Sequence, residues 1–254
     1  MIPKIIHYCW FGKNPKPPLA EKCIRSWREK CPDYEIIEWN EDNVNIKDCP
    51  LYVRQSYKEG RWAFVTDYVR LKVVYEQGGI YLDTDVEVLK PFDSLLEEKS
   101  FFGIEGEEFV ATGLGFGSEA GTKILADLMN DYEGISLYQE KGVIDVTACP
   151  ARNTKIFKKY GFEPQNKLQR LDDGVLVLPT EFLCPMNYIT KELNITDATF
   201  SVHWYSSSWI DKKIKKNEKK RIRKSRFKSK TRKLIISLIG EKNYKKIKEL
   251  IKRK

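Results

Sequence analysis

Histidine is scarce in this chain: His7 and His203 are the only two in 254 residues. None of the six cysteines, at 9, 23, 31, 49, 149 and 184, forms a C-x-x-C pair. Together these two shortages exclude the ligand spacing of zinc sites, and unpaired cysteine spacing reads as a chain kept in a reducing compartment. Long apolar runs are also missing. No stretch approaches the roughly 18 apolar residues of a spanning helix. The start Met1-Ile2-Pro3-Lys4 is not a basic segment followed by an apolar one, so no secretory leader is read there. The expectation is a cytoplasmic chain that touches membrane only at its surface. No internal repeat is present.

What the chain does have is an uneven charge. The formal net charge is +9, yet residues 211–254 hold 21 Lys or Arg against 4 Asp or Glu, leaving 24 basic against 32 acidic residues before them. The body is therefore acidic and only the tail is basic. Within the tail, Leu234 to Ile239 and then Tyr244, Ile247, Leu250 and Ile251 supply an apolar face among lysines. That pattern predicts a basic amphipathic helix lying on an anionic leaflet, where each cation near the surface is worth about 1 kcal/mol. A solvated tail is the alternative. Nucleic acid is not expected as a partner, because the tail carries no recognisable nucleic-acid-binding motif. Two parts follow: a catalytic domain over 1–210 and a basic tail over 211–254.

With 41% of its 254 residues apolar, the chain can bury one sizeable core. Ile5 to Phe11 is a short apolar run ended by Gly12 and prolines, which predicts a first strand. Cys23, Ile24 and Trp27 recur at helical spacing before Pro32, and Tyr34 to Trp39 predicts a second strand. Between Ala63 and Gln77, Phe64, Tyr68, Leu71 and Tyr75 fall on one helical face, and Gly78-Gly79 supplies the stop. Ile80-Tyr81-Leu82 and Val86 to Leu89 predict further strands, with a helix near Thr122 to Tyr132 and a strand at Val175 to Leu178. Such alternation predicts an α/β sandwich with a largely parallel sheet, whose ligands gather at the carboxyl ends of strands.

Asp83-Thr84-Asp85 stands at one such end. Two carboxylates one residue apart point apart on a regular strand, but in a turn after it both converge on one hard cation. Asp-x-Asp alone is common and is equally a solvated acidic turn. Asp67 and Arg70 lie three apart on the helix before it, either as an ordinary surface ion pair or as groups for a sugar hydroxyl and a phosphate.

Joined together, Ala63-Phe64-Val65-Thr66-Asp67-Tyr68-Val69-Arg70-Leu71 and Tyr75-Glu76-Gln77-Gly78-Gly79-Ile80-Tyr81-Leu82-Asp83-Thr84-Asp85 resemble the core motif of glycosyltransferase family 32, the glycosyltransferases with a DXD-containing sugar-binding region. That family includes capsular polysaccharide and yeast Golgi mannosyl enzymes and is similar in core to the clostridial glucosylating toxins. Ile2 to Gly12 resembles its opening strand, and Ser201-Val202-His203-Trp204-Tyr205-Ser206-Ser207-Ser208-Trp209 its closing His and Ser-Trp motif. The resemblance weakens between about 105 and 175, where donor-sugar and acceptor choice are expected to be made.

The resemblance implies a GT-A-type fold with a Rossmann-like, mainly parallel sheet, carrying here a basic C-terminal helical tail. It implies that Trp10 stacks on the nucleobase, that Asp67, Arg70 and Tyr81 line the nucleotide-sugar site, and that Asp85 binds a cation directly. Asp83 meets ribose or sugar and reaches the ion through water. His203 and a serine of the Ser207-Ser208 pair complete the site, in a register the tandem serines leave open, and Trp209 closes over the diphosphate. Carboxylate and phosphate oxygens suit Mn²⁺ or Mg²⁺. The implied reaction is retaining transfer of a sugar from a nucleoside diphosphate, UDP ahead of GDP, to a glycan or lipid-linked glycan, as in capsule or surface-polysaccharide assembly. A toxin-like protein glycosyltransferase and a non-catalytic polyanion-binding protein are the competing readings.

Overall fold

The computed structural model describes residues 1–106 and 108–206. The basic tail and the Ser207, Ser208 and Trp209 contacts lie outside the described residues. One compact unit comprises Met1–Met186 and Leu193–Trp209 and contains every strand and helix named below.

The order is β1 (Ile5–Cys9), α1 (Pro18–Lys30), β2 (Glu35–Trp39), α2 (Leu51–Lys58), α3 (Trp62–Gln77), β3 (Gly79–Tyr81), β4 (Val86–Val88), β5 (Ser100–Glu105) and β6 (Phe109–Ser118). There follow α4 (Lys123–Asn130), α5 (Cys149–Phe157), β7 (Gln169–Arg170), β8 (Val175–Leu178), α6 (Thr180–Leu183) and β9 (Ser201–His203). Seven strands form one sheet in the order β2-β1-β3-β6-β5-β8-β7. β1 runs parallel to β2 and β3, and β5 parallel to β8, while β6 and β7 run against their neighbours. Five of the seven strands thus point one way, giving the mixed α/β architecture and mainly parallel sheet expected. β4 and β9 pair apart from it as an antiparallel ribbon.

Two apolar layers cover the sheet. One gathers α2, α3 and α4 residues such as Tyr52, Val65, Val69 and Leu125 with Phe102 and Phe116; the other gathers Trp27 of α1 with Ile6, Ile80, Phe92 and Phe101. α3 is mostly buried, which explains its weak amphipathicity: a helix with tertiary partners on most of its surface has little polar face to show. It ends where Gly78 takes φ +68°. The following Gly79, at φ +106°, lies so close to β1 that a Cβ there would stand 2.8 Å from His7 Nε2 and from Ile5 O. This tight exit sets β3 directly beside β1. His7 Nε2 donates to Gly78 O at 2.8 Å, and Nδ1 accepts from Trp39 Nε1 at 3.1 Å, so the ring is fully bonded when neutral.

Candidate nucleotide-sugar and cation site

Past β3 the chain leaves the sheet at its carboxyl end, and Asp83 and Asp85 fall in the turn that leads to β4. β4 is held from two sides. Trp27 of α1, fully buried, donates from Nε1 to Val86 O at 2.7 Å, and β9 pairs Val86 with His203. The ribbon therefore carries His203 to the acidic turn although 117 residues separate Val86 from it. Asp83, Asp85 and His203 each offer a ligand atom within 4.8 Å of the others. Beyond β9, Trp204 N donates to Asp85 O at 2.9 Å and Ser206 N donates to Asp85 Oδ2 at 2.8 Å. Tyr205 between them adopts φ +52°, a left-handed conformation that costs a non-glycine residue of order 1 kcal/mol. Its ring packs 4.2 Å from that of His203 and its hydroxyl meets Cys184 Sγ at 2.9 Å, which offsets that strain.

Asp85 Oδ1 lies 3.2 Å from His203 Nε2. Two ligands at right angles on one octahedral ion with bonds of about 2.0 to 2.3 Å stand roughly 2.8 to 3.3 Å apart. The separation and the oxygen-rich donor set thus fit a hard divalent cation, and His203 Nδ1, buried with no partner among the described residues, leaves the imidazole incompletely accounted for by the contacts described. Burial opposes charge on Asp85, but His203 and the Ser206 amide outweigh it and hold its carboxyl below the usual range. For His203, burial disfavours the cation; Asp85, with Asp83 and Glu105 adding to it, raises the imidazole nonetheless.

A second charged group lies behind the turn. Arg70 Nη2 donates to Asp67 Oδ1 at 2.6 Å, Nε donates to Thr66 O at 3.1 Å, and Nη1 stands 3.6 Å from Asp83 Oδ2. Both Asp67 and Arg70 are buried, so the surface-pair alternative is set aside. Tyr81 lies beneath, donating to Asp83 Oδ1 at 2.8 Å, with the Arg70 guanidinium 5.2 Å from its ring centre. Burial pushes the Asp67 carboxyl up to about 6, with Arg70 opposing. Burial likewise raises Asp83, again against Arg70. Trp10 sits on the other side of Asp85: a shallow cleft is lined by Trp10, Pro17, Leu19, Thr84, Asp85 and Ser206. Its ring is only partly buried, and Nε1 donates to Asn14 O at 2.7 Å.

The structure thus brings together Asp67, Arg70, Tyr81, Asp83, Asp85 and His203, with Trp10 across the cleft. Sequence reasoning missed Glu105, at the end of β5, whose carboxyl is raised by burial and faces His203 and Tyr205. It also missed Gly113 of β6, where a Cβ would stand 2.7 Å from Asp83 Oδ2 and 3.1 Å from Arg70 Nη1. The Gly113, Gly115, Gly117 run was the available signal, since glycine inside a strand marks close approach of another group.

Comparison with known proteins finds similarity to glycosyltransferases. Residues 17–102 match the family model described as a glycosyltransferase sugar-binding region containing a DXD motif. The chain is 34% identical over 98 residues to inositol phosphoceramide mannosyltransferase 3 of Schizosaccharomyces pombe, covering 37% of this chain and 27% of that protein. It is 28% identical over 180 residues to lactosylceramide 4-alpha-galactosyltransferase of Mus musculus, covering 64% of this chain and 48% of the other. A solved structure, the PaToxG glycosyltransferase, aligns with TM-score 0.49 at 20% identity, over 62% of this chain and 69% of that one. The chain spans less than half the length of each of these two curated relatives. The resemblance to DXD-containing glycosyltransferases read from the sequence is borne out.

Proposed function

We propose that this chain is a metal-dependent, retaining glycosyltransferase that moves a sugar from a nucleoside diphosphate, UDP ahead of GDP, to a glycan or lipid-linked glycan. The observation that carries the reading is the convergence of Asp83, Asp85 and His203 beside the buried Asp67–Arg70 pair. When bound, a divalent ion, Mn²⁺ or Mg²⁺, supplies positive charge against the leaving diphosphate. Asp85 and His203 would hold it, with Asp83 close enough to reach it from the turn. Trp10 offers an aromatic face to the base across the cleft. Arg70, braced by Asp67 and Thr66, orients Asp83 and presents its remaining N–H groups to the donor. Ser207 or Ser208 and Trp209 are assigned, by resemblance, to the ion and to closure over the diphosphate, which excludes water and so limits hydrolysis.

Both curated relatives are named for ceramide-based acceptors, which supports a glycolipid or lipid-linked acceptor here. With the basic residues 211–254 on an anionic leaflet, the enzyme would work at the cytoplasmic face of a membrane, in capsule or surface-polysaccharide assembly. Two experiments test the reading. Release of nucleoside diphosphate is measured from a panel of UDP- and GDP-sugars with Mn²⁺, Mg²⁺ or chelator; metal-independent release, or none from any donor, contradicts it. Flotation with anionic vesicles tests the tail, and equal partitioning of the protein lacking residues 211–254 removes the membrane part.

A further inference from the structure

Trp204 stands between His203 and Ser206, and its backbone meets Asp85 while its side chain is held elsewhere. The indole Nε1 donates to Glu87 Oε2 at 2.8 Å, and Lys22 Nζ donates to the same oxygen at 2.8 Å. The Lys22 ammonium also lies 5.2 Å from the centre of the Trp204 ring, which closes a triangle of three side chains. The Glu87 side chain is 18% exposed and Trp204 is partly buried, so their bond is largely shielded from water, whereas Lys22, at 55%, reaches solvent.

β4 gives Glu87 a fixed base. Two buried residues of α1 bolt the strand down on either side of it: Trp27 Nε1 donates to Val86 O at 2.7 Å, and Ser26 Oγ accepts from Val88 N at 2.9 Å. In the ribbon Glu87 pairs with Val202 and Val86 with His203. Side chains alternate across a strand, so Glu87 and Trp204 share one face as diagonal neighbours while His203 belongs to the other. Past Trp204 the chain curls around Asp85, with Trp204 N on Asp85 O at 2.9 Å, Ser206 N on Asp85 Oδ2 at 2.8 Å, and Tyr205 at φ +52° between them. A residue in such a conformation keeps it only while its surroundings hold it there. Cys184 meets the Tyr205 hydroxyl at 2.9 Å, and Glu87 anchors the residue before it.

Building on the proposed donor reading, we infer that Glu87, acting through the Trp204 indole, is a positioning residue for the cation site: it holds the curl that sets His203 and the Ser206 amide against Asp85. Glu87 serves the ion from the ribbon face opposite His203 and is not one of its ligands. Lys22 braces the carboxylate from the solvent side, and so exposed an ion pair contributes little by itself. Without Glu87 the indole loses its acceptor, the strain at Tyr205 relaxes, and His203 and the Ser206 amide drift from Asp85.

The test follows binding of labelled UDP and GDP to the full chain by equilibrium dialysis while Mn²⁺ is raised, and compares the Mn²⁺ concentration at half-saturation. Glu87→Ala is expected to raise that midpoint about tenfold, as for a lost hydrogen bond to a charged group. Trp204→Phe, which keeps a ring but removes the indole N–H, should raise it as much, and the double variant no further, because both changes delete one bond. Glu87→Gln keeps an oxygen that accepts from the indole, and its midpoint should stay within about threefold of the native one. Should Glu87→Ala fail to fold, Trp204→Phe against the native chain supplies the comparison. A role in stability alone would lower the urea midpoint of Glu87→Ala and leave its Mn²⁺ midpoint in place; that result, or shifts that multiply in the double variant, overturns the inference and leaves the donor reading standing. If the native chain binds neither nucleotide, or binds without regard to Mn²⁺, both fall.

Discussion

Replacing Gly113 by alanine is a sharp steric test of how the site is built. A Cβ at this position stands 2.7 Å from Asp83 Oδ2, 3.7 Å from Asp83 Cγ and 3.1 Å from Arg70 Nη1, where ordinary contact begins at 3.4 Å. The Asp83 carboxylate must therefore retreat by roughly 0.7 Å, the difference between 2.7 and 3.4 Å. It cannot do so freely, because Tyr81 holds Oδ1 at 2.8 Å and the Arg70 guanidinium is already committed to Asp67 and Thr66. Overpacking of this kind costs about 1 to 3 kcal/mol of stability. In a domain of this size that is a fall in Tm of about 2 to 12 °C. The effect on turnover should be larger than stability alone explains, since a misplacement near 1 Å costs about 100-fold in rate; a roughly 10- to 100-fold loss is expected. Thermal unfolding is measured beside nucleoside diphosphate release from the active donor. Leu128→Ala, which empties core volume on α4 instead of displacing a charged group, serves as the control for lost stability. Full turnover in Gly113→Ala, or an equal loss in the control at matched stability, would refute the steric argument.

Other outcomes follow from the same contacts. Trp27→Phe leaves the buried Val86 carbonyl without its donor and should cost about 1 to 3 kcal/mol by urea unfolding, loosening the ribbon that carries His203. His7 is buried and neutral, and burial lowers its pKa despite the Gly78 contact. The unfolded chain therefore binds a proton that the folded one resists, so this contribution to stability is intact above about pH 6.5 and falls as the pH drops below it. Urea midpoints taken from pH 7 to pH 5 should decline less steeply in His7→Gln than in the native chain; an unchanged slope contradicts the assignment. Tyr205→Phe removes the hydroxyl from Cys184 while keeping the ring on His203, and should weaken Mn²⁺-dependent nucleotide binding by less than His203→Ala does; the reverse ranking would show that the bond to Cys184 matters more than the imidazole.

Much of the sheet's first half is legible in the sequence because its signals are local. Ile5 to Cys9 and Glu35 to Trp39 are short β-prone runs bounded by turn residues, and α3 announces itself through Phe64, Tyr68, Leu71 and Tyr75 and its glycine stop. The acidic turn is legible for the same reason, as it lies within twenty residues of Asp67. Of the later elements, the helix near Thr122 to Tyr132 and the strand at Val175 to Leu178 are legible as well, matching α4 and β8, while others are hidden. β6 gives no clear strand signal because Gly113, Gly115 and Gly117 depress strand propensity, yet those glycines are needed where Asp83, Leu82 and Phe101 press against the strand. α5 escapes because its buried positions include Cys149, Asn153 and Thr154, polar residues satisfied by β6 rather than an apolar stripe. The convergence of His203 on Asp85 depends on the β4–β9 pairing, which no local pattern encodes; only the family resemblance pointed to it.

Our proposal is that Asp83, Asp85 and His203 hold a cation that grips a nucleoside diphosphate. It is tested most directly by calorimetric titration of the native chain and of Asp85→Ala with UDP and with GDP, each with and without Mn²⁺. Tight binding of one nucleotide by the native chain, dependent on the metal and lost in the variant, is expected. Binding that ignores the metal, survives in Asp85→Ala, or is absent for both nucleotides would contradict it.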